Sequence, residues 1–319
     1  MLSPLWHIAL ALLLDQLLGD PRWLPHPVRL IGTLQAGLEK VCRRRIPQAR
    51  LAGVVTVLIT LLVTGGLTWA LLQGAGLLHP LVSDGVAILL LYTTFAARDL
   101  ARHAMAVQGA LQQDDLVLAR QRVAMIVGRD TAELDEAGVT RAGVESVAES
   151  LVDGVTAPIF YALLGGPLGA MLYKAVNTGD SMFGYKNERY REFGWAAARL
   201  DDLANLLPAR LTALLIPLAA LVLGLKARAS LRILRRDRRC HASPNSGFPE
   251  AAVAGALGIQ LGGASRYFGR LVSKPTLGDA LQPIKARHLR EAVHLMLVTT
   301  ALFFGLGALI TILGQFLVD

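Results

Sequence analysis

Long apolar runs alternate with basic polar loops along this chain. Residues 4–18 are apolar except for His7, Asp15 and Gln16. Residues 51–97 are nearly continuous, with Asp84 as their single formal charge. Residues 154–173 contain no Asp, Glu, Lys or Arg; the apolar character extends to residue 176 past Lys174. Residues 211–225 form a shorter run around Pro217, and 295–318 are uncharged. About 20 apolar residues cross a bilayer as a helix, so these runs read as spans. The centre of the second run, QGAGLLHPLVSDG, has turn chemistry and splits it into a hairpin of two helices. The PLG and LLGGP elements of the third run make it a bent or re-entrant pair of half-helices rather than a plain span.

Parity then constrains topology. If the basic loop over residues 22–50 is cytoplasmic, the hairpin returns the chain to the cytoplasm at Arg98, and the Arg-rich stretch 226–239 should be cytoplasmic too. The two middle segments therefore both cross, or neither does. We favour neither, because the loop they would export, residues 177–205, carries residues suited to chemistry. The first run resembles a signal peptide but lacks a basic leader and a small-x-small cleavage site, and it reads as a retained helix. Between the hairpin and the middle run, ALQQDDLVLARQRVAMIVGRD has helical composition ending near Gly128, followed by TAELDEAG with Thr131 as N-cap. No strand-rich region, nucleotide-binding glycine motif or fixed repeat is evident. The expected fold is all-α: one polytopic, membrane-embedded domain over residues 1–319, with helical cytoplasmic loops and re-entrant segments.

Composition reinforces the pattern. Of 319 residues, 53% are hydrophobic and 18% charged, against about 25% charged in soluble domains; the mean hydropathy is +0.47. The net charge of +8 raises nucleic acid as a partner. However, the arginine clusters at 43–45 and 235–239 flank apolar runs, which the positive-inside rule explains without it. Membrane lipid is the expected surroundings and nucleic acid is not a partner. Cys42 and Cys240 define neither a disulfide scaffold nor a zinc site.

Polar residues cluster where the apolar runs begin and end. In RAGVESVAESLVDG, Arg141, Glu145, Glu149 and Asp153 recur every fourth residue, along one stripe of a helix. Three carboxylates so spaced suit Mg²⁺, which takes oxygen ligands and shares them with substrate phosphates, or a general base. The alternative is a solvated face with a weak Arg141–Glu145 surface pair. Position favours the first, since acids at a membrane boundary are costly unless they face a polar cavity or a partner. A second cluster follows the bent segment: Lys174, Asn177, Asp180, Lys186, Asn187, Glu188, Arg199, Asp201, Asp202 and Asn205. Around it, Phe183, Tyr185, Tyr190, Phe193 and Trp195 form either walls for a large flat substrate or an interfacial belt. A third block, SPNSGFPEAAVAGALGIQLGG, places Asn245 and Ser246 in a turn before a helix whose first amides suit a phosphate. There Gly255, Gly258 and Gly262 permit close helix packing. Near the N-terminus, Asp15, Asp20, His26 and Arg29 sit in a rigid polar turn, and His26 has no second His or Cys at ligand spacing.

Four blocks carry a resemblance: LLLDQLLGDPRWLPHPVRLIG, RDTAELDEAGVTRAGVESVAESLVDGVTAPIFYALLGGPLGAMLYKAVNTGDSM, YREFGWAAARLDDLANLLPARLTA and SPNSGFPEAAVAGALGIQLGG. In this order, and across nearly the whole chain, they resemble the cobinamide-phosphate synthase family of adenosylcobalamin biosynthesis. The resemblance implies an integral inner-membrane enzyme of bacteria with its site towards the cytoplasm. It implies ATP- and Mg²⁺-dependent joining of the free propionate carboxyl of adenosylcobyric acid to (R)-1-amino-2-propanol or its O-phosphate. It also allows self-association and association with other late enzymes of cobalamin assembly. Within that resemblance, Glu145, Glu149 and Asp153 are assigned to Mg²⁺–ATP, and Lys174, Lys186 and Arg199 to phosphates. Asp180, Asp201 or Asp202 is assigned as base or further metal ligand, and Arg141, Asn177, Asn187, Asn245 and Ser246 to cofactor contacts. A non-enzymatic membrane sensor and a corrinoid or small-molecule transporter are the alternatives. Acids at segment entrances rather than mid-span favour a surface active site.

Overall fold

The computed structural model describes residues 2–21, 26–185, 187–267 and 269–317. Among these, thirteen α-helices and one β-hairpin follow in the order α1 (Pro4–Leu18), α2 (Pro27–Arg45), α3 (Ala49–Leu78), α4 (Pro80–Tyr92), α5 (Ala97–Gln112), α6 (Leu116–Ala124), α7 (Glu136–Leu151), α8 (Ala157–Phe183), α9 (Trp195–Ala204), α10 (Leu206–Val222), α11 (Ala227–Asp237), α12 (Gly247–Leu257), β1 (Leu261–Tyr267), β2 (Arg270–Leu277) and α13 (Arg287–Phe316). The all-α polytopic class is as expected. Four helical stretches are long and apolar enough to cross a membrane, or five if the bent pair α9–α10, which turns by 44°, counts as one. The chain divides into two compact units. The first comprises residues 1–96, 157–205 and 307–319; the second comprises 97–156 and 206–306.

In the first unit α3 shows how a membrane helix is written. Leu58, Leu62, Leu67, Leu71 and Leu77 are exposed, while Thr56, Thr60, Thr64 and Thr68 are buried at successive turns. Thr56 and Thr60 donate to the carbonyls of Ala52 and Thr56 one turn back, so their hydroxyls need no outside partner. The leucines are left for lipid and the small residues for helix contact. The expected break falls at His79, whose extended backbone separates α3 from α4 and whose imidazole accepts from Leu81 N–H. Asp84, buried in α4, accepts from Leu2 N–H at 3.1 Å and contacts His7 Nε2 of α1 at 2.9 Å, which gives an intramembrane carboxylate a fixed partner.

The bend expected at LLGGP is present in α8. Gly165 (φ −136°, ψ 17°) and Gly166 (φ 58°, ψ −149°) leave helical geometry, and Pro167 opens the second half, where its missing N–H costs nothing. Each half is shorter than the roughly 20 residues of a straight span. The aromatics after α8 form neither a substrate wall nor a belt as a group. Phe183 and Phe193 meet edge to face at 5.1 Å and are buried with Cys42 and Ala52, and Arg43 lies 4.2 Å over the Phe193 ring. Tyr185 and Trp195 remain exposed, and Trp195 stacks under Arg50 at 3.7 Å.

The second unit is built around α12, where every residue except Phe248 is buried. Its Ala- and Gly-rich sequence is apolar all round, as a helix enclosed by others must be. At Gly255 a Cβ would fall 2.7 Å from the Ala229 carbonyl oxygen and 2.7 Å from Ser230 Cα of α11, so only glycine permits this approach. Ser230 Oγ donates to the Ala252 carbonyl at 2.7 Å across the same contact.

Three local expectations are corrected in this unit. Helix α6 ends at Ala124 rather than Gly128, and Asp135, not Thr131, caps α7 by accepting from Gly138 N–H at 2.7 Å. Gly258 is the left-handed C-cap of α12, while Gly262 sits at a bulge in β1; neither packs helix on helix. The antiparallel hairpin β1–β2 was not expected at all.

Candidate active site

Loop residue Arg129, helix α7, the segment leading into α12 and the hairpin enclose a polar cavity of about 140 Å³ in the second unit. Glu145, from α7, is buried in its wall. It pairs with Arg129 and accepts from Gly262 N–H at 2.6 Å. Arg129 also donates to Ser265 Oγ at 3.1 Å, and Arg141 donates to the Gly262 carbonyl at 3.3 Å. Glu145 and Arg141 thus tie α7 to β1 instead of pairing with each other. One turn on, Glu149 is exposed and accepts from Ser246 Oγ at 3.2 Å. Asp153 lies in a π-helical turn, Val152–Thr156, that follows α7. This wider turn takes Asp153 off the regular four-residue stripe.

Sequence reasoning missed Glu250, His241 and Lys274, which share the cavity with Glu145 and Glu149. Glu250, in the first turn of α12, is 5% exposed. Burial, followed by the charges of Glu149 and Glu145, holds its carboxyl well above the usual carboxylate range, which favours the protonated acid. Burial pulls His241 the other way, below the usual histidine range, against an opposing pull from Glu149. Ser243 N–H donates to His241 Nδ1 at 3.0 Å, which leaves the proton of the neutral ring on Nε2. That nitrogen lies 3.8 Å from Glu250 Oε1. The only advance signal was Glu250 in an otherwise apolar helix, since His241 and Lys274 gain meaning only from the turn and the hairpin.

Among the described residues no group of three His, Cys, Asp or Glu is gathered to hold a metal ion by itself. Glu145 already accepts from two donors. Glu149 is compatible with Mg²⁺ that arrives on a phosphate, because such sites use one or two carboxylates and keep substrate oxygens and water as the remaining ligands.

The turn before α12 differs from the expected phosphate cradle. Asn245 N–H and Ser246 N–H both donate to Ser243 Oγ at 3.2 Å, and Phe248 N–H donates to the Asn245 carbonyl. These amides are committed to the turn, and Asn245 Oδ1 accepts from Arg210 at 3.3 Å.

The other sequence-predicted residues belong to the first unit. Asp201, buried in α9, accepts from Asn205 Nδ2 at 3.0 Å and from Asn177 Nδ2 at 3.4 Å. Tyr173 donates to Asn205 Oδ1 at 2.9 Å and stacks on Tyr161 with ring centroids 5.1 Å apart. Asp202 is on the more open side of α9, 3.7 Å from Arg199. Lys174 is buried in α8, near enough to His26 to oppose its protonation, alongside the larger effect of burial. Asp20 lies 3.7 Å from both His26 and Arg29, so Asp20, His26, Arg29 and Lys174 form one polar cluster; residues 22–25 of the expected turn lie outside the described residues. Asp180 closes α8, where its carbonyl accepts from Gly184 N–H at 2.6 Å. Asn187 caps the following turn, accepting from Tyr190 N–H at 3.0 Å. Lys186 lies outside the described residues.

Comparison with known proteins extends over nearly the whole chain. Residues 8–296 match the protein family described as CobD/Cbib protein. The chain is 53% identical over 301 residues to the cobalamin biosynthesis protein CobD of Geobacter metallireducens, covering 94% of this chain and 95% of the relative. It is 46% identical over 300 residues to the cobalamin biosynthesis protein CbiB of Salmonella typhi, covering 93% and 94%. No solved structure matches it. Continuous similarity at this level shows that the chain belongs to the CobD/CbiB family of cobalamin biosynthesis proteins.

Proposed function

We propose that this protein is an ATP-dependent acid–amine ligase that joins adenosylcobyric acid to (R)-1-amino-2-propanol or its O-phosphate. The observation that supports it best is the cavity of the second unit, where exposed Glu149 stands with Lys274, neutral His241 and a proton-holding Glu250. Amide formation needs the propionate carboxylate activated. Its oxygen attacks the terminal phosphorus of ATP, ADP leaves, and the acyl phosphate is then attacked by the amine with loss of inorganic phosphate. The amine loses a proton as the C–N bond forms, and Glu149, once the nucleotide has left, is placed to take it. Lys274 offsets negative charge around the phosphoryl group, and His241 Nε2–H and protonated Glu250 supply donors. Mg²⁺, held through Glu149 and ATP oxygens, would neutralise phosphate charge. ATP supply puts the site on the cytoplasmic face of the inner membrane, with the corrinoid approaching from the bilayer surface.

The test is ATP turnover by the purified full chain in detergent. The ligase consumes ATP only when corrinoid and amine are both present, and ADP rather than AMP as product identifies the acyl phosphate. ATP use indifferent to the corrinoid, or corrinoid uptake into sealed vesicles without ligation, would overturn the assignment.

A further inference from the structure

A second polar cavity, of about 430 Å³, adjoins the first and shares His241 with it. Its lining has the opposite sign: Arg210 from α10, Arg238 and Arg239 just beyond α11, and Ser243, Pro244 and Phe248 at the entry to α12. The sequence pattern assigns Arg238 and Arg239 to the positive-inside rule, which explains a charge run but not a concave arrangement. The run is in fact divided. Arg232 and Arg236 are neutralised structurally, pairing with Asp279 at 3.0 and 2.7 Å, and Arg236 also with Asp237 at 2.6 Å. Among the described residues no Asp or Glu pairs with Arg210, Arg238 or Arg239.

Two of these three guanidinium groups are also held in place. Arg210 lies over the Phe248 ring at 4.5 Å and donates to the Leu206 carbonyl and to Asn245 Oδ1. Arg238 donates to the Arg235 carbonyl at 2.7 Å. A cationic cavity whose groups are fixed before a ligand arrives suits an anion with several oxygens, because guanidinium forks match such groups and little ordering remains to be done.

We propose that the cavity walled by Arg210, Arg238, Arg239 and His241 is a binding site for a terminal phosphate dianion. A ligand whose phosphate sits among the arginines presents its other end, past His241, to Glu149 and Glu250. Which ligand supplies that phosphate rests on the function proposed above: the phosphorylated amine or the nucleotide.

The experiment is direct binding to the full chain in detergent, with four probes. These are aminopropanol O-phosphate, aminopropanol itself, a non-hydrolysable ATP analogue, and nanodiscs with or without phosphatidylglycerol. Each of Arg238→Gln and Arg239→Gln should weaken a phosphate-bearing soluble probe by about tenfold, the effect of losing a charge-assisted hydrogen bond. Aminopropanol binding should not change. Which soluble probe responds identifies the source of the phosphate. Sensitivity confined to phosphatidylglycerol overturns the proposal in favour of a lipid contact, and no sensitivity in any arm overturns it outright. Arg239→Glu, on an exposed side chain, keeps the test open if Arg238→Gln fails to fold. Phosphate binding without ligation would sink the ligase and spare this site. Ligation with no arginine-dependent probe binding would do the reverse.

Discussion

Asp201 in the first unit and Glu250 in the second are both buried carboxyls on short helices, yet their surroundings are opposite. Asp201 is met by two side-chain amides, one of them held in turn by Tyr173. Glu250 is met by two further carboxylates and a neutral imidazole. The first is a polar pin inside an apolar bundle, with its partners supplied by α8 and by the C-cap of its own helix. The second sits beside like charges that Lys274 and Arg129 offset only in part, an arrangement that packing alone would not favour, and it lies beside a cavity. Unfavourable electrostatics confined to one place mark a functional site more clearly than the number of acids does.

The comparison can be broken most severely at Arg129. Arg129 and Glu145 have side chains only 10% and 8% exposed, so Arg129→Ala strands a buried carboxylate. Losing one member of a buried pair costs about 3–5 kcal/mol, to be read from thermal unfolding of the solubilised protein. Pairing it with Glu145→Gln should restore much of the loss. If Arg129→Ala is as stable as the parent, the latch between α7 and β1 is not what positions the cavity.

Glu149→Gln should have the contrasting phenotype. Glu149 is exposed and its carboxylate accepts from Ser246 Oγ at the cavity rim, so its loss should leave the melting temperature unchanged. Ligation should fall by about a hundredfold, within the range for removing a base from a transition state. Near-normal turnover with saturating ATP would remove Glu149 from the chemistry.

Gly166→Ala tests the first unit. Its φ of 58° with ψ of −149° is a backbone region almost reserved for glycine, so alanine should cost about 1–3 kcal/mol. The same substitution at Gly165, where φ is −136°, should cost less. Equal effects at the two positions would mean that the bend is not set by Gly166.

The apolar runs, the break at His79 and the bend at Gly165–Gly166 were legible because each depends on neighbours in sequence. The hairpin was not. Its strands carry Gly262, Gly263 and Pro275, poor strand formers whose positions make sense only at a bulge and at exposed edges. Missing the hairpin hid Lys274 and left Glu145 looking like a metal ligand, when its partners lie at Arg129 and Gly262. Regular spacing likewise suggested one stripe from Arg141 to Asp153, because a π-turn leaves no mark in the residue pattern. The aromatics after α8 misled for a similar reason. Their types suit a surface wall, but contact with Cys42 and Ala52 makes Phe183 and Phe193 core. Arg210 was invisible as a site residue, since its neighbours come from three separate segments.

The finest test replaces each of the two carboxyls by its amide. Asp201→Asn puts an NH₂ group where Asn205 or Asn177 now donates, so one buried hydrogen bond is lost at a cost of about 1 kcal/mol. Glu250→Gln should act in the other direction at neutral pH. Because Glu250 binds its proton more tightly folded than unfolded, the native state holds more protons than the unfolded state above the ordinary carboxylate pKa of about 4.3. Stability must therefore fall as pH rises from there through the raised folded value. Glutamine keeps the neutral shape at every pH and abolishes that slope. His241 contributes the opposite slope below the usual histidine pKa of about 6.5, because its depressed folded value makes acid destabilising. Glu250→Gln should thus remove the fall of stability on the alkaline side and leave the His241 slope in place. A symmetric change, or none, would mean that Glu250 is not the proton-holding group of the cavity.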